Sequence, residues 1–489
     1  MSPHASNPGA PVPQNFLGLS FEVGSLSQIA GYANQGDLVT LLRSLGAGVL
    51  RFGGVTADER VGWAENASER PPWAAQTLDA SDLRQLAALA ANSGWPVLLT
   101  LGLAHYEPEA AAREAAAAKA ALGERLAAIE IGNEPNAYAA HGFRAEPWSF
   151  LQYDEQITAY RGAIEAIAPG IALAGPDSSG SKAFESWGLG EAIHQLPALL
   201  TGHHYPLSCN EQPPPTIERL LSPEVRELEQ ASLRHYTRIA ELIEIPFRLD
   251  ETNTVSCGGV AGVSNTFASA LWAVNYLATA MSMGVAGINL QGNPANCAGY
   301  TPLCAPTSEA LAAGALVAQP EWYALLLAKA LIGERPLRTS IRSQRGLVPG
   351  ASSAPAAPGG TASAPNVEVR TFMAGDGTLQ FVAVDDDPPG SRSVALRLQV
   401  GARFHGASIL SLTAPSPAAL SGVRLGGQTV AADGSWSPPA RLPRAANRAG
   451  VITVTLAPSS AALLTVAPIT GWSAALPSGR GRVAGLASP

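Results

Sequence analysis

Short apolar runs recur along the first two thirds of the chain, each ending in polar residues and separated from the next by a segment of different period. In order they are "FLGLSFEVG", "GVLRFGG", "PVLLTLG", "LAAIEIGNE", "IALAGPD", "LLTGHHYP", "PFRLDETN" and "GVAGINLQG". Runs this short and this continuously apolar suit strands buried on both faces. Between them lie "DASDLRQLAALAANSG", "PEAAAREAAAAKAALG" and "SPEVRELEQASLRHYTRIAELIE", with apolar residues three and four apart, Asp or Ser at the start and Gly or Pro at the end. That is the pattern of capped helices. Strand-then-helix units in this number predict an α/β fold, a (β/α)8 TIM barrel over residues 16–335.

Beyond residue 335 the texture changes. The segment "RGLVPGASSAPAAPGGTASAPN", at about 345–366, has neither a helical nor a strand period and predicts a mobile loop. After it, "VEVRTFM", "LQFVAVDD", "SVALRLQV", "ASILSLT" and "GVITVTLAPSSAALLTVAP" alternate or run as strands between Gly, Pro and Asp turns. An antiparallel β-sandwich over 336–470 is expected, with residues 1–15 adding an edge strand and 471–489 forming a tail.

Charge narrows the class of partner. The chain has 489 residues, 14 % of them charged, and a formal net charge of -8. Nucleic acid, acidic membranes and heavily sulfated polymers need dense Lys and Arg surfaces, so a neutral or weakly charged small molecule or oligosaccharide is the expected partner. The most apolar stretch, "LWAVNYLATAMSMGVAGINLQG", is interrupted by Asn275, Tyr276, Ser282 and Gly284. It is expected to be a buried helix followed by a strand, not a membrane span. The residues set no oligomeric state.

Four cysteines, Cys209, Cys257, Cys297 and Cys304, allow three pairings and match no zinc ribbon. Cys297 and Cys304 lie in a Gly/Pro-rich loop that could close on itself. A disulfide there would point to an exported protein, whereas four free thiols would suit a cytosolic one. The N-terminal "MSPHASNPGAPVPQ" is expected to follow a lost signal peptide of a secreted or periplasmic protein, with a cytoplasmic location left open.

Barrel active sites form at the C-terminal ends of the strands. The first strand delivers Glu22 there; the second Arg51, Gly53 and Gly54; the fourth Asn133 and Glu134; the fifth Asp177. The sixth delivers His203, His204 and Tyr205; the seventh Asp250, Glu251 and Asn253; the eighth Asn289 and Gln291. Glu134 and Glu251 then face each other across the barrel mouth. Two opposed carboxylates are what glycosidic cleavage requires, one as proton donor and one as nucleophile, at ~5 to 5.5 Å for retention of configuration. Asn133 offers an amide to a sugar 2-hydroxyl, and Pro135 fixes the chain as it leaves the strand.

Taken together, "VLRFGGVTAD", "IEIGNEPN", "TGHHYP" and "DETNTVSCGGVAGVSNTFASALW" resemble, in order and spacing, the second, fourth, sixth and seventh strand segments of glycoside hydrolase family 79, the β-glucuronidases and heparanases. The resemblance covers roughly residues 16–335 and implies a retaining glycosidase without cofactor or metal. By it Glu134 would be the acid/base, Glu251 the nucleophile and Asn133 the 2-hydroxyl contact. Tyr205 would hold the Glu251 carboxylate, and Glu22 would take hydroxyls far from the scissile bond. The backbone at Gly258 and Gly259 would face a substrate carboxylate. Uronate-binding members carry a tyrosine at or near this glycine run, where this chain has Ser256 and Cys257; the clamp would then fall to Tyr300, Gln291 or a basic residue. A small β-glucuronide is the expected substrate. A neutral β-glucoside or β-xyloside is the alternative, and a non-catalytic carbohydrate-binding barrel a second one.

Other polar residues have plainer readings. Successive strand residues face opposite sides, so His203 and His204 are not expected to share a metal ion; one lines the pocket and the other packs. By the same rule Asp250 points away from Glu251 and is structural. Asp177 would cap the next helix, and the structural alternative for Glu22 is a partner for a buried arginine such as Arg51.

Overall fold

Eight strands of the expected segments pair in parallel: β1 Leu17–Glu22, β2 Val49–Gly53, β3 Val97–Leu101, β4 Leu126–Ile131, β5 Ala174–Ser179, β6 Leu199–His204, β7 Phe247–Thr252 and β8 Gly287–Gln291. The hydrogen-bonded order is β4-β3-β2-β1-β8-β7-β6-β5. A parallel bridge between Ile129 and Leu173 closes the ring. The fold is a TIM barrel followed by antiparallel sheets. This computed structural model describes residues 2–4, 8–343, 346–347 and 364–469. Most of the Pro/Gly/Ala-rich segment and the tail at 471–489 fall outside those residues.

Local sequence signals set the helices between the strands. Helix Ala80–Ser93 begins at Asp79, whose carboxylate accepts from the Ser81 and Asp82 amides in a capping box, and ends at Gly94 in the left-handed conformation. Ser222 caps helix Pro223–Ile243, with Pro223 at the first position. Helix Phe267–Ser282 is buried along nearly its whole length. Its apolar composition on every side follows from its place between the barrel and the sandwich.

The sandwich has one large antiparallel sheet of β9 Arg335–Ser340, β10 Val367–Met373, β11 Leu379–Asp385, β13 Ala407–Thr413 and β15 Ser460–Val466. A smaller sheet contains β12 Val394–Gln399 and β14 Val451–Leu456. The short N-terminal strand Ser2–His4 pairs with β9 at the edge. Strand β11 is buried on both faces: Phe381 and Ala383 join the sandwich core, while Val382 and Val384 join the barrel core. Alternation along one strand thus fastens two domains together. Arg226 adds a buried ion pair to Asp386 at 2.9 Å across the same seam. Among the described residues no helix is long and apolar enough to cross a membrane.

Burial raises four glutamates on barrel helices, Glu114, Glu191, Glu229 and Glu321, to about 8. Between the ordinary carboxyl value and that value the folded chain binds more protons than the unfolded one, so stability falls as pH rises. Chemical denaturation is therefore expected to find the protein more stable at pH 5 than at pH 8 by on the order of a few kcal/mol. Equal stability, or a gain toward pH 8, would contradict this.

Candidate active site

The barrel mouth is organised around one guanidinium. Arg51, near the end of β2, is completely buried. Its Nε lies 3.1 Å from Glu130 Oε2 and 2.9 Å from Asp250 Oδ2. Nη1 donates to Glu251 Oε2 at 2.7 Å and to Ser20 Oγ at 3.1 Å. Nη2 donates to Asp177 at 2.9 Å and to Asn133 Oδ1 at 3.2 Å. Four carboxylates from three strands, β4, β5 and β7, converge on one planar fork, a geometry that a lysine could not match. Burial alone would lower the Arg51 pKa, but Asp177, Asp250, Glu130 and Glu251 raise it well above its ordinary value.

His203 ties this cluster to Glu134. Its Nδ1 lies 2.9 Å from Glu134 Oε1 and its Nε2 lies 2.7 Å from Asp177 Oδ1. Burial opposes the imidazolium, yet the Asp177 and Glu251 charges and the hydrogen bond to Asp177 raise the His203 pKa well above the ordinary value. A carboxylate oxygen faces each ring nitrogen, an arrangement that suits an imidazolium with two N–H donors. His204 faces away, and burial lowers it to about 4.

Backbone geometry turns the key side chains into the mouth. Glu134 has φ 50° and Asp177 φ 55°, both left-handed, and the Glu134 amide donates to the Asp177 carbonyl at 2.9 Å. Such a conformation costs a non-glycine residue about 1–3 kcal/mol and is sustained by its surroundings. Here Asp58 is the main support. One of its oxygens accepts from the Leu103 and Ala104 amides, and the other accepts from the Asn133 amide at 2.8 Å and the Tyr138 hydroxyl at 2.6 Å. Pro135 opens a short 3-10 turn directly after Glu134.

Glu134 and Glu251 approach closely: with His203 they offer side-chain atoms that all lie within 4.8 Å of one another. The Glu251 carboxylate is held at both oxygens, Oε2 by Arg51 and Oε1 by the Tyr205 hydroxyl at 2.8 Å. Burial opposes its ionisation, but His203, Arg51 and these hydrogen bonds prevail and its pKa is lowered. Tyr300 stacks on Tyr205 with ring centroids 5.7 Å apart, and the two hydroxyls are 3.3 Å apart.

Glu22 and Gln291 form a second group at the mouth. Glu22 Oε2 accepts from the Thr56 amide and hydroxyl, and Oε1 lies 3.4 Å from Gln291 Nε2. Burial and the Glu251 charge raise the Glu22 pKa. Gly54 is required here, because a Cβ on it would sit 2.3 Å from Glu22 Oε1. Gln291 Oε1 is buried without a protein partner among the described residues. Gly258 and Gly259 lie behind Tyr300: the Gly258 carbonyl accepts the Tyr300 amide at 3.1 Å, and the Gly259 amide donates to Ser256 O at 3.3 Å.

Several sequence expectations change. Asp177 does not cap the following helix, whose N-cap is Gly180; it turns inward to Arg51 and His203. Asp250 and Glu251 both reach Arg51 because the pairing of β7 with β6 shifts register between Leu249 and Glu251, which breaks simple alternation. Glu22 bonds Thr56 and Gln291 and not Arg51. Cys257 is joined to Cys209, and Cys297 to Cys304, so no thiol is available as a donor. The Gly259 amide donates within its own turn, to Ser256 O.

Two triads bring ligand-type atoms together, Glu134/His203/Glu251 and Asp177/His203/Asp250. Arg51 already touches Asp177, Asp250 and Glu251 and lies 3.2 Å from His203 Nε2. The positive charge that a metal would supply to these carboxylates is present in the guanidinium, which would repel a dication beside it.

No family model matches the chain. A β-glucuronidase from Aspergillus niger is 26 % identical over 211 residues, which is 38 % of this chain and 38 % of that protein. The match thus spans well under half of that relative. Among solved structures, a 4-O-α-L-rhamnosyl-β-D-glucuronidase from Fusarium oxysporum is similar with a TM-score of 0.73 at 19 % identity, covering 95 % of this chain and 99 % of that one. A family 51 arabinofuranosidase from Xanthomonas axonopodis is similar with a TM-score of 0.64 at 14 % identity, covering 95 % and 99 %. A family 30 endoxylanase from Clostridium papyrosolvens gives 0.55 at 12 % identity, covering 96 % and 99 %. These structural likenesses are likenesses of fold.

Proposed function

We propose that this protein is a retaining β-glycoside hydrolase that removes β-linked glucuronic acid from small glucuronides. The observation that carries the reading is the approach of the Glu134 and Glu251 carboxylates to within 4.8 Å at the barrel mouth. That approach is closer than the ~6.5 to 9.5 Å that inversion needs for its water and suits direct attack, for which ~5 to 5.5 Å is usual.

Glu251, kept ionised by Arg51, His203 and Tyr205, attacks the anomeric carbon. Glu134 gives its proton to the departing oxygen. His203 Nδ1 lies 2.9 Å from Glu134 Oε1, so an imidazolium donating there leaves Oε2 to carry the transferred proton. Water activated by Glu134 then hydrolyses the glycosyl ester, and the anomeric configuration is retained. Asn133, its Oδ1 held by Arg51, keeps its amide hydrogens for the sugar 2-hydroxyl. Glu22 and the unpartnered Gln291 Oε1 suit hydroxyl donors farther round the ring.

The glucuronate preference is supported by the Aspergillus and Fusarium proteins, both named as glucuronidases, and by the family 79 resemblance. The Tyr300 backbone meets the Gly258 turn, and the Tyr300 hydroxyl offers a neutral donor suited to a carboxylate. A neutral β-glucoside or β-xyloside is the second reading, favoured by one observation: Arg51 is fully committed to protein carboxylates and is not free to bind one on a substrate. Catalytic efficiency on an aryl β-glucuronide is expected to exceed that on the matching β-glucoside and β-xyloside, and proton NMR of the first-formed sugar is expected to show the β-anomer. A preference for either neutral sugar would overturn the substrate and leave the mechanism. Initial release of the α-anomer would overturn the mechanism.

A further inference from the structure

The loops after β6 and β7 are laced together beside the nucleophile. Leu207 and Val255 form a parallel bridge, the Ser256 amide donates to Leu207 O at 3.0 Å, and Cys209 is bonded to Cys257 with Cα atoms 6.0 Å apart. From Cys257 the chain runs through three successive left-handed residues, with φ 61°, 87° and 88° at Cys257, Gly258 and Gly259. The disulfide holds the one of these that is not glycine, where the conformation is costly.

This turn supports Tyr300. The Gly258 carbonyl accepts the Tyr300 amide, and a Cβ at Gly259 would lie 2.5 Å from that nitrogen, so only glycine lets the two backbones meet. Tyr300 stacks on Tyr205, and Tyr205 holds Glu251 Oε1. Tyr205 stands four residues before Cys209 on the same loop. The contacts therefore close a ring: Cys209, Cys257, Gly258, Tyr300, Tyr205 and back to Cys209. Cys257 is exposed, whereas Cys304 of the other disulfide is buried. A solvent thiolate reaches the Cys209–Cys257 bond first.

We propose that the Cys209–Cys257 disulfide is a redox-responsive positioning element for the nucleophile, acting through Tyr300 and Tyr205. A soluble dithiol would supply two electrons and two protons, becoming a disulfide itself while Cys209 and Cys257 become thiols. The left-handed turn then relaxes, the Gly258–Tyr300 hydrogen bond loosens, and Tyr205 no longer fixes the Glu251 carboxylate. Reoxidation restores the ring. The effect on catalysis rests on the glycosidase reading above, but the change at Tyr300 does not.

The test uses the full chain with Cys209→Ser and Cys257→Ser, which leaves the Cys297–Cys304 bond of the Tyr300 loop untouched. Amide hydrogen exchange across the Tyr300 loop is expected to speed at least ~10-fold while β6 and β7 stay protected, as for a local opening. On the hydrolysed glycoside, kcat is expected to fall roughly 10- to 100-fold, the range for loosening a hydrogen bond to a charged group. The acid limb of the pH profile moves upward, because Glu251 loses a donor that stabilises its anion. A Tyr300→Phe variant, with the stack kept and the hydroxyl gone, should show unchanged exchange in that loop. Unaltered exchange in the double serine variant overturns the proposal. Faster exchange with an unmoved kcat and pH profile overturns the link to the nucleophile. If the unmodified protein cleaves no glycoside, the proposed function fails while the exchange result still decides whether the disulfide positions Tyr300.

Discussion

Replacing Glu251 with Gln is expected to lower kcat by ~10⁵-fold or more on every glycoside the protein cleaves, the scale seen when a nucleophile is removed. The fold should survive. An amide fits the same space, its oxygen can take the Arg51 Nη1 proton, and its NH2 can donate to the Tyr205 hydroxyl oxygen. Arg51 keeps Glu130, Asp177 and Asp250 as counter-charges. Loss of activity with an unchanged urea midpoint is therefore the expected pair of results. Glu134→Ala should cost far less on substrates whose leaving group needs no proton, and azide should restore turnover there as a β-glycosyl azide. If azide instead rescues the Glu251 variant with retention, the two roles must be exchanged. The lowered pKa of Glu251 also sets a sign: the acid limb of kcat/KM should lie below the ordinary glutamate range, because the anion persists as pH falls.

The barrel strands and the strands of the sandwich were legible because burial on both faces and alternation leave distinct patterns in sequence. The opposed glutamates were legible because a carboxylate after a continuous apolar strand has few structural uses. What holds them was not. Asp58 sits in "VTADER", an unremarkable polar turn, and only the folded chain brings four donors to its carboxylate. Strand alternation turns Asp250 away from Glu251, which fails where β7 shifts register against β6, and the helix-cap reading of Asp177 fails where its φ turns positive. One signal was available. Arg51 in "VLRFGG" and Glu130 in "LAAIEIGNE" are charges inside apolar strands, and buried charges need partners. Pairing those two would have found the centre of the cluster.

Arg51 is where the largest combined effect on stability and chemistry is expected. Arg51→Met keeps the length of the side chain and removes the cation, leaving Glu130, Asp177, Asp250 and Glu251 close together and buried. Removing one partner of a buried ion pair costs about 3–5 kcal/mol, and here a single partner serves four anions, so little folded protein is expected at pH 7. Acid should rescue it in part. With Arg51 present, burial and the neighbouring charges already raise Glu130 to about 7 and Asp250 to about 6. Without the guanidinium these groups hold their protons to higher pH still, and at pH 5 they would enter the fold neutral. Arg51→Lys should fall between, since an ammonium supplies the charge but not the fork that reaches Glu130, Asp177 and Glu251 at once. In that variant Glu251 loses part of the field that lowers its pKa, and the acid limb of the pH–rate profile should rise toward the ordinary glutamate value. Urea unfolding of both variants at pH 5 and pH 7, with pH–rate profiles of the lysine variant, measures these effects. An Arg51→Met protein as stable as the parent at pH 7 would mean that the four carboxylates are neutralised by protons alone, and the guanidinium would lose its place at the centre of the site.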